Sequence, residues 1–227
     1  MKTSVILLSA GSSTRFGGDI KKQFYLINNK PLLYYSLLAF DESKRVDEII
    51  VVTAKEDIER VQEIVKQYGF NKVKCVISGG DTRQESVHLG LAHVESDFVL
   101  VHDAARPLVS EEIISNLLDA LKDADGSTPV LKVVDTIIKV ENKELSSYED
   151  RNQLFRVQTP QAFKTKLLKK AHEQFLGKNI TDDSQLIKLV GGKVAIVEGD
   201  EKLRKVTTLE DTYVIKTYIE QDERLQN

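Results

Sequence analysis

One cysteine in 227 residues has no partner within the chain, so no internal disulfide can form and a cytoplasmic setting is expected. That residue, Cys75, lies in the apolar run VKCVI and reads as a buried strand residue rather than a nucleophile. Histidine is scarce as well: His88, His93, His102 and His172 show no metal-ligand spacing, and His102 reads as packed within its strand. No apolar run is long enough to cross a bilayer. The opening MKTSVILLSA looks briefly like a leader, but its apolar stretch is short and passes at once into Ser-Ser-Thr-Arg, so it reads as a first strand. A net charge of −3 supplies no basic field, which argues against nucleic acid as a partner and for a small molecule. What remains, 41% hydrophobic and 30% charged residues, suits one globular domain over residues 1–227.

The chain alternates short apolar runs with amphipathic stretches. Residues 4–8 form the first strand, and Pro31 is expected at the first position of the helix PLLYYSLLAF. DEIIVVTA is the next strand, followed by a helix over KEDIERVQEIVKQYG with Gly69 as its C-cap. VKCVIS, DFVLVHD and STPVLKV continue the series, with helices between them. This alternation predicts an α/β fold with a mostly parallel sheet and helices on both faces. Over 135–152 the helical rhythm stops. Two extended pieces joined at residues 141–144 suggest a hairpin arm, either a cover for the sheet edge or an arm that embraces a second subunit.

Three polar clusters follow strands: SAGSSTR, GGDTRQES and HDAARP. In open parallel sheets that edge binds ligands. Gly11, with the small residues Ser12, Ser13 and Thr14, lets backbone amides approach a phosphate, while Arg15 and a downstream lysine bring charge. The loop matches neither the P-loop nor the dinucleotide fingerprint, and in isolation it reads equally as a bare strand-to-helix connection. Gly79 and Gly80 leave room for a flat base, with Asp81 and Ser86 as hydrogen-bonding groups; the plainer reading is a tight turn with Asp81 as N-cap. Asp103 ends a buried strand, where a carboxylate needs a cation. It is the candidate metal ligand, with an ion pair to Arg106 as the competing account.

These stretches, together with DRNQLFRVQTPQAF, ITDD and VEGD followed by KVTTLED, resemble in order and spacing the 2-C-methyl-D-erythritol 4-phosphate cytidylyltransferases of the non-mevalonate isoprenoid route. The resemblance implies a Rossmann-like nucleotidyltransferase fold, a homodimer joined through the 135–152 arm, and CTP and a polyol phosphate as substrates with Mg²⁺ or another divalent cation. It assigns Ala10, Gly11, Ser12, Arg15 and a lysine of KKQ to the CTP phosphates, Gly80, Asp81 and Ser86 to the cytidine, and Asp103 to the metal and ribose. Arg106, Thr136, Arg151, Thr159, Thr181, Lys205 and Thr207 would surround the sugar phosphate, some donated across the dimer. Arg15, Lys22 and Lys205 are the implied catalytic residues. The chain departs from the family pattern at Ser9, at Lys21, and at Leu203 and Arg204. Lys22 aligns with the catalytic lysine because Gln23 follows it, but Lys21 could share or take the role. A ribitol 5-phosphate cytidylyltransferase, or a catalytically silent nucleotide-binding regulator, are the alternative readings.

Overall fold

The computed structural model describes residues 1–11, 16, 20–178, 180–222 and 225. β1 (Thr3–Leu8) is entirely apolar after its first two residues and sits at the heart of the sheet. A small hairpin of β2 (Leu26–Ile27) and β3 (Lys30–Pro31) turns on Asn28 and Asn29, both left-handed, and leads into α1 (Leu32–Glu42). Pro31 therefore precedes the helix as its cap instead of opening it, because pairing with β2 keeps its backbone extended. β4 (Glu48–Thr53), α2 (Ile58–Tyr68), β5 (Val73–Ser78) and α3 (Arg83–Leu91) follow, and Gly69 ends α2 at φ 69°, as its position predicts. β6 (Phe98–Asp103), α4 (Glu111–Ala120) and β7 (Gly126–Lys132) complete the regular alternation.

The arm is a separate two-stranded hairpin of β8 (Ile138–Glu141) and β9 (Glu144–Tyr148), turning at Asn142 and Lys143 with positive φ. The chain then returns through β10 (Phe155–Val157) and β11 (Gln161–Lys164), and continues as α5 (Thr165–Phe175), α6 (Asp183–Leu189), β12 (Val194–Glu198) and α7 (Leu209–Gln221). The eight-stranded sheet has the order β10-β7-β11-β6-β1-β4-β5, with β12 parallel to β7. β6, β1, β4 and β5 run parallel to one another, whereas β11 runs antiparallel between β6 and β7. No crossover helix separates β7 from β11; the arm turns the chain back, and a returning strand can pair only in the opposite sense.

Successive residues of β1 supply the two faces. Val5 and Leu7 pack with α1, α4 and α7, while Ile6 packs with α3, α5 and α6. Cys75 is half-buried rather than buried as expected, because β5 is the last strand of the sheet; burial still pushes its thiol above the ordinary value, which fits a structural residue. Phe40 is wholly enclosed on the α1 side, with its ring 5.1 Å from that of His102. Phe40→Ala is expected to cost about 3–5 kcal/mol in urea unfolding; a loss below about 1 kcal/mol would show that this side of the core is not close-packed.

Candidate active site

The carboxyl ends of β1, β5 and β6 open onto one cavity of about 370 Å³. Ala10 and Gly11 enter it after β1, Gly80, Asp81 and Ser86 after β5, and Asp103 at the end of β6. Lys22 reaches it from a short 3-10 turn, and Lys205 from the loop before α7. Ser12 and Arg15, also expected here, lie outside the described residues.

The glycines serve different ends. A Cβ on Gly79 would lie 2.7 Å from Ser86 Oγ and 2.9 Å from Ala10 Cβ, so glycine lets the two loops touch. One on Gly80 would lie 2.5 Å from Glu85 Cβ. Around Gly11, by contrast, a Cβ would meet nothing within 4 Å among the described residues. The N-cap of α3 is Thr82, not Asp81: Thr82 Oγ1 accepts from Glu85 N, and the Glu85 carboxylate accepts from Thr82 N and Asp81 N. That capping box leaves the Asp81 side chain at the cavity.

Asp103 carries the electrostatics. Its partners are Lys205, with Nζ 2.6 Å from Oδ2, and Arg83, with Nε 3.3 Å from Oδ1. Burial alone would push this carboxyl up, but Arg83 and then Lys205 outweigh it and hold it well below the usual carboxylate range. The alternative pairing with Arg106 is not formed. Arg106 Nη1 donates instead to the Leu203 carbonyl at 2.7 Å. The structure also separates the two adjacent lysines. Lys21 Nζ is held by Glu56 at 2.7 Å and Asp57 at 2.6 Å, whereas Lys22 lines the cavity and donates to the Val206 carbonyl.

Behind the cavity, His102 is fully enclosed, as its strand position predicts, and burial lowers its pKa to about 4. Its Nε2 lies 2.9 Å from the Arg106 carbonyl, which can only accept, so the neutral ring carries its proton there. Nδ1 then accepts from the Thr159 hydroxyl, whose oxygen in turn accepts from Asp103 N. Thr159 is thus buried and engaged within the protein rather than lining the cavity.

A second cavity of about 300 Å³ adjoins the first, and Lys205 lines both. Arg106 and Thr207 face it, joined by Arg156 and Arg204, which sequence reasoning did not place in a site. Arg156 pairs with Glu201 and Arg204 with Asp211, and the Asp211 carboxylate also accepts from Thr207 N and Oγ1. Leu203, at the departure from the family pattern, is wholly buried and offers the carbonyl that holds Arg106. Thr136, Arg151 and Thr181 are exposed and line neither cavity, and Arg151 donates to the Val134 carbonyl just before the arm. Sequence reading also left His172 and Asp183 unassigned; they bond at 2.9 Å beside Arg83, a meeting visible only once α5 packs on α6. No cluster of three His, Cys, Asp or Glu suited to a metal occurs among the described residues.

The family model for 2-C-methyl-D-erythritol 4-phosphate cytidylyltransferase matches residues 3–221. The enzyme of that name from Caldanaerobacter subterraneus subsp. tengcongensis is 40% identical over 96% of this chain and 99% of its own length. That from Clostridium perfringens is 40% identical over 96% and 99%. Among solved structures, the 4-diphosphocytidyl-2C-methyl-D-erythritol synthase of Anaerococcus prevotii superposes with a TM-score of 0.84 at 28% identity, covering 96% of both chains. The bifunctional IspDF of Campylobacter jejuni gives 0.81 at 39% identity, with this chain covering 54% of that protein.

The paired Asp103 sets an acid limit on stability. An unfolded aspartate titrates at about 3.9, so where the folded carboxyl stays ionised below that value the unfolded chain binds more protons. The contribution is present in full above about pH 5 and is lost as pH falls through the folded value. Asp103→Asn is expected to be less stable at neutral pH, because Arg83 and Lys205 lose their partner, and to lose stability less steeply than wild type between about pH 4 and pH 2. Equal acid slopes in urea titrations would show that the ion pairs do not form in solution.

Proposed function

The chain belongs to the 2-C-methyl-D-erythritol 4-phosphate cytidylyltransferase family, and from that premise we propose how its two cavities serve the reaction. CTP and 2-C-methyl-D-erythritol 4-phosphate give 4-diphosphocytidyl-2-C-methyl-D-erythritol and pyrophosphate. The first cavity takes CTP, the second takes the sugar phosphate, and Lys205 stands where they meet. The shared lysine is the observation that carries this assignment, because the two reacting phosphates must be brought together against their own repulsion.

A phosphate monoester with a second pKa near about 6 is largely a dianion at neutral pH, so it attacks without a general base. One of its oxygens forms a bond to the α-phosphorus as the bond from that phosphorus to the β-bridging oxygen breaks, and pyrophosphate leaves with the electron pair. His102, enclosed and neutral, has no part in the transfer. The chain's task is to hold two anions in line and offset the charge that gathers on the leaving group. Lys22 and Lys205 do so from the first cavity, joined by Arg15. Arg106 and Thr207 hold the incoming phosphate from the second. Gly11, which lines the cavity without a side chain, lets phosphate oxygens approach the backbone, and Gly80, Asp81 and Ser86 border the cytidine.

Asp103 is the proposed protein ligand for a divalent cation. A lone carboxylate fits a hard cation that keeps most of its oxygen ligands from water and triphosphate, though not one held permanently by the protein. When bound, such a cation offsets negative charge on the triphosphate.

The arm is proposed to embrace a second copy. Val140, Leu145 and Tyr148 expose 58%, 51% and 69% of their surface, and an isolated two-stranded hairpin is marginal in water. Thr136 and Arg151 lie on or beside that arm and away from their own chain's cavities, which suits donation to a partner's second cavity. Thr159 and Thr181 remain proposed neighbours of the sugar phosphate, the former through Asp103 and His102. A cytoplasmic enzyme is the proposed setting; among the described residues no helix is long and apolar enough to cross a membrane.

Incubation with CTP, Mg²⁺ and each polyol phosphate, followed by pyrophosphate measurement, tests the reading. Product from ribitol 5-phosphate alone would overturn it. Lys22→Ala is expected to lower turnover by about a hundredfold or more, the scale of lost oxyanion contacts. Lys21→Ala should change it by less than about threefold, as befits a surface ion pair. The reverse ranking would transfer the role to Lys21.

A further inference from the structure

Arg83 opens α3 and lines the first cavity, yet its guanidinium is divided between two carboxylates. Nε donates to Asp103 at 3.3 Å, and Nη1 to Asp183 Oδ2 at the shorter distance of 2.6 Å. Asp183 is 1% exposed, and its other oxygen lies 2.9 Å from Nε2 of His172, which is fully enclosed. Burial alone would raise the Asp183 carboxyl, but Arg83 and then His172 hold it below its ordinary value. An ionised carboxylate only accepts, so His172 Nε2 donates. His172 Nδ1 has no hydrogen-bond partner among the described residues, and the ring stacks on His88 at 6.2 Å. The polar engagement of this histidine is therefore with Asp183.

An arginine beside a triphosphate would ordinarily turn to it, because its planar fork matches phosphate oxygens bidentately. The contact with Asp183 ties one arm of that fork into the protein. The geometry points to Asp183, anchored by His172, as the positioning residue that reserves Arg83 for Asp103 and so keeps one carboxylate oxygen clamped. The other oxygen, held by Lys205, is then the one free to change partners when substrate enters. This rests on reading the first cavity as the CTP site.

The test joins a readout of the arginine itself to kinetics. In ¹⁵N-labelled wild type, the Arg83 Nε–H should give a signal protected from solvent exchange, and Asp183→Asn should abolish that protection. In the same variant turnover should fall about tenfold or more, the usual scale for loss of a group that orients a site residue, while CTP affinity by calorimetry stays equal or rises. In an Arg83→Met background, Asp183→Asn should change turnover by no more than about twofold further, because its effect runs through Arg83. An Arg83 signal unchanged by Asp183→Asn, or losses that add in full, would overturn the inference. His172→Leu, which removes the donor and keeps both carboxylates, carries the same expectations should Asp183→Asn fail to fold. If wild type binds no CTP, the nucleotide reading fails instead, and the Arg83 signal still decides the positioning.

Discussion

A carboxylate at the buried end of β6 is tolerable only if cations meet it, and the site is arranged around that need. Asp103 is 9% exposed and stays ionised because Arg83 and Lys205 reach both of its oxygens. The partners lie 20 and 102 residues away in sequence, so forming the pairs brings the start of α3 and the loop before α7 to the same strand end. The β6 backbone is fixed in turn, because Asp103 N donates to the Thr159 hydroxyl, which donates to the neutral His102 ring, and the ring donates to the Arg106 carbonyl. Folding and site assembly therefore share one set of contacts.

That arrangement also prepares the chemistry. Lys205 pairs with Asp103 at the boundary between the cavities, and on the proposed reading a triphosphate in the first cavity would offer the same ammonium a competing anion. A compact, strongly hydrated ammonium on a flexible stem suits such an exchange, whereas Arg83, divided between two acids, suits permanence. Catalysis by positioned charge needs little proton transfer, which accounts for a site whose enclosed histidine is neutral.

Much of this was legible in the sequence because it was local. The α2 face, its Gly69 cap, the arm's Asn-Lys turn and the gathering of three polar loops at one strand edge all follow from spacing within a few residues. The errors were of contact across the fold. Arg106, three positions on in the same loop, looked like the natural partner of Asp103, but the Leu203 carbonyl claims it. Cys75 lies in an apolar run that reads alike for an inner or an outer strand, and only strand order exposes it. The antiparallel sense of β11 was likewise hidden, since a short apolar strand does not declare its direction. Asp183 and His172 sit on different helices and meet through packing, with no periodicity to pair them.

The central claim is that Lys205 exchanges the Asp103 carboxylate for a phosphate when CTP enters. A crystal structure with CTP and Mg²⁺ tests it most directly. The account predicts the cytosine between Gly80 and Ser86, phosphate oxygens against Gly11 and Lys22, and Lys205 Nζ drawn from Asp103 to the nucleotide while Arg83 keeps its place. A nucleotide bound away from these residues, or Lys205 unmoved on Asp103 with the triphosphate in the cavity, would contradict it.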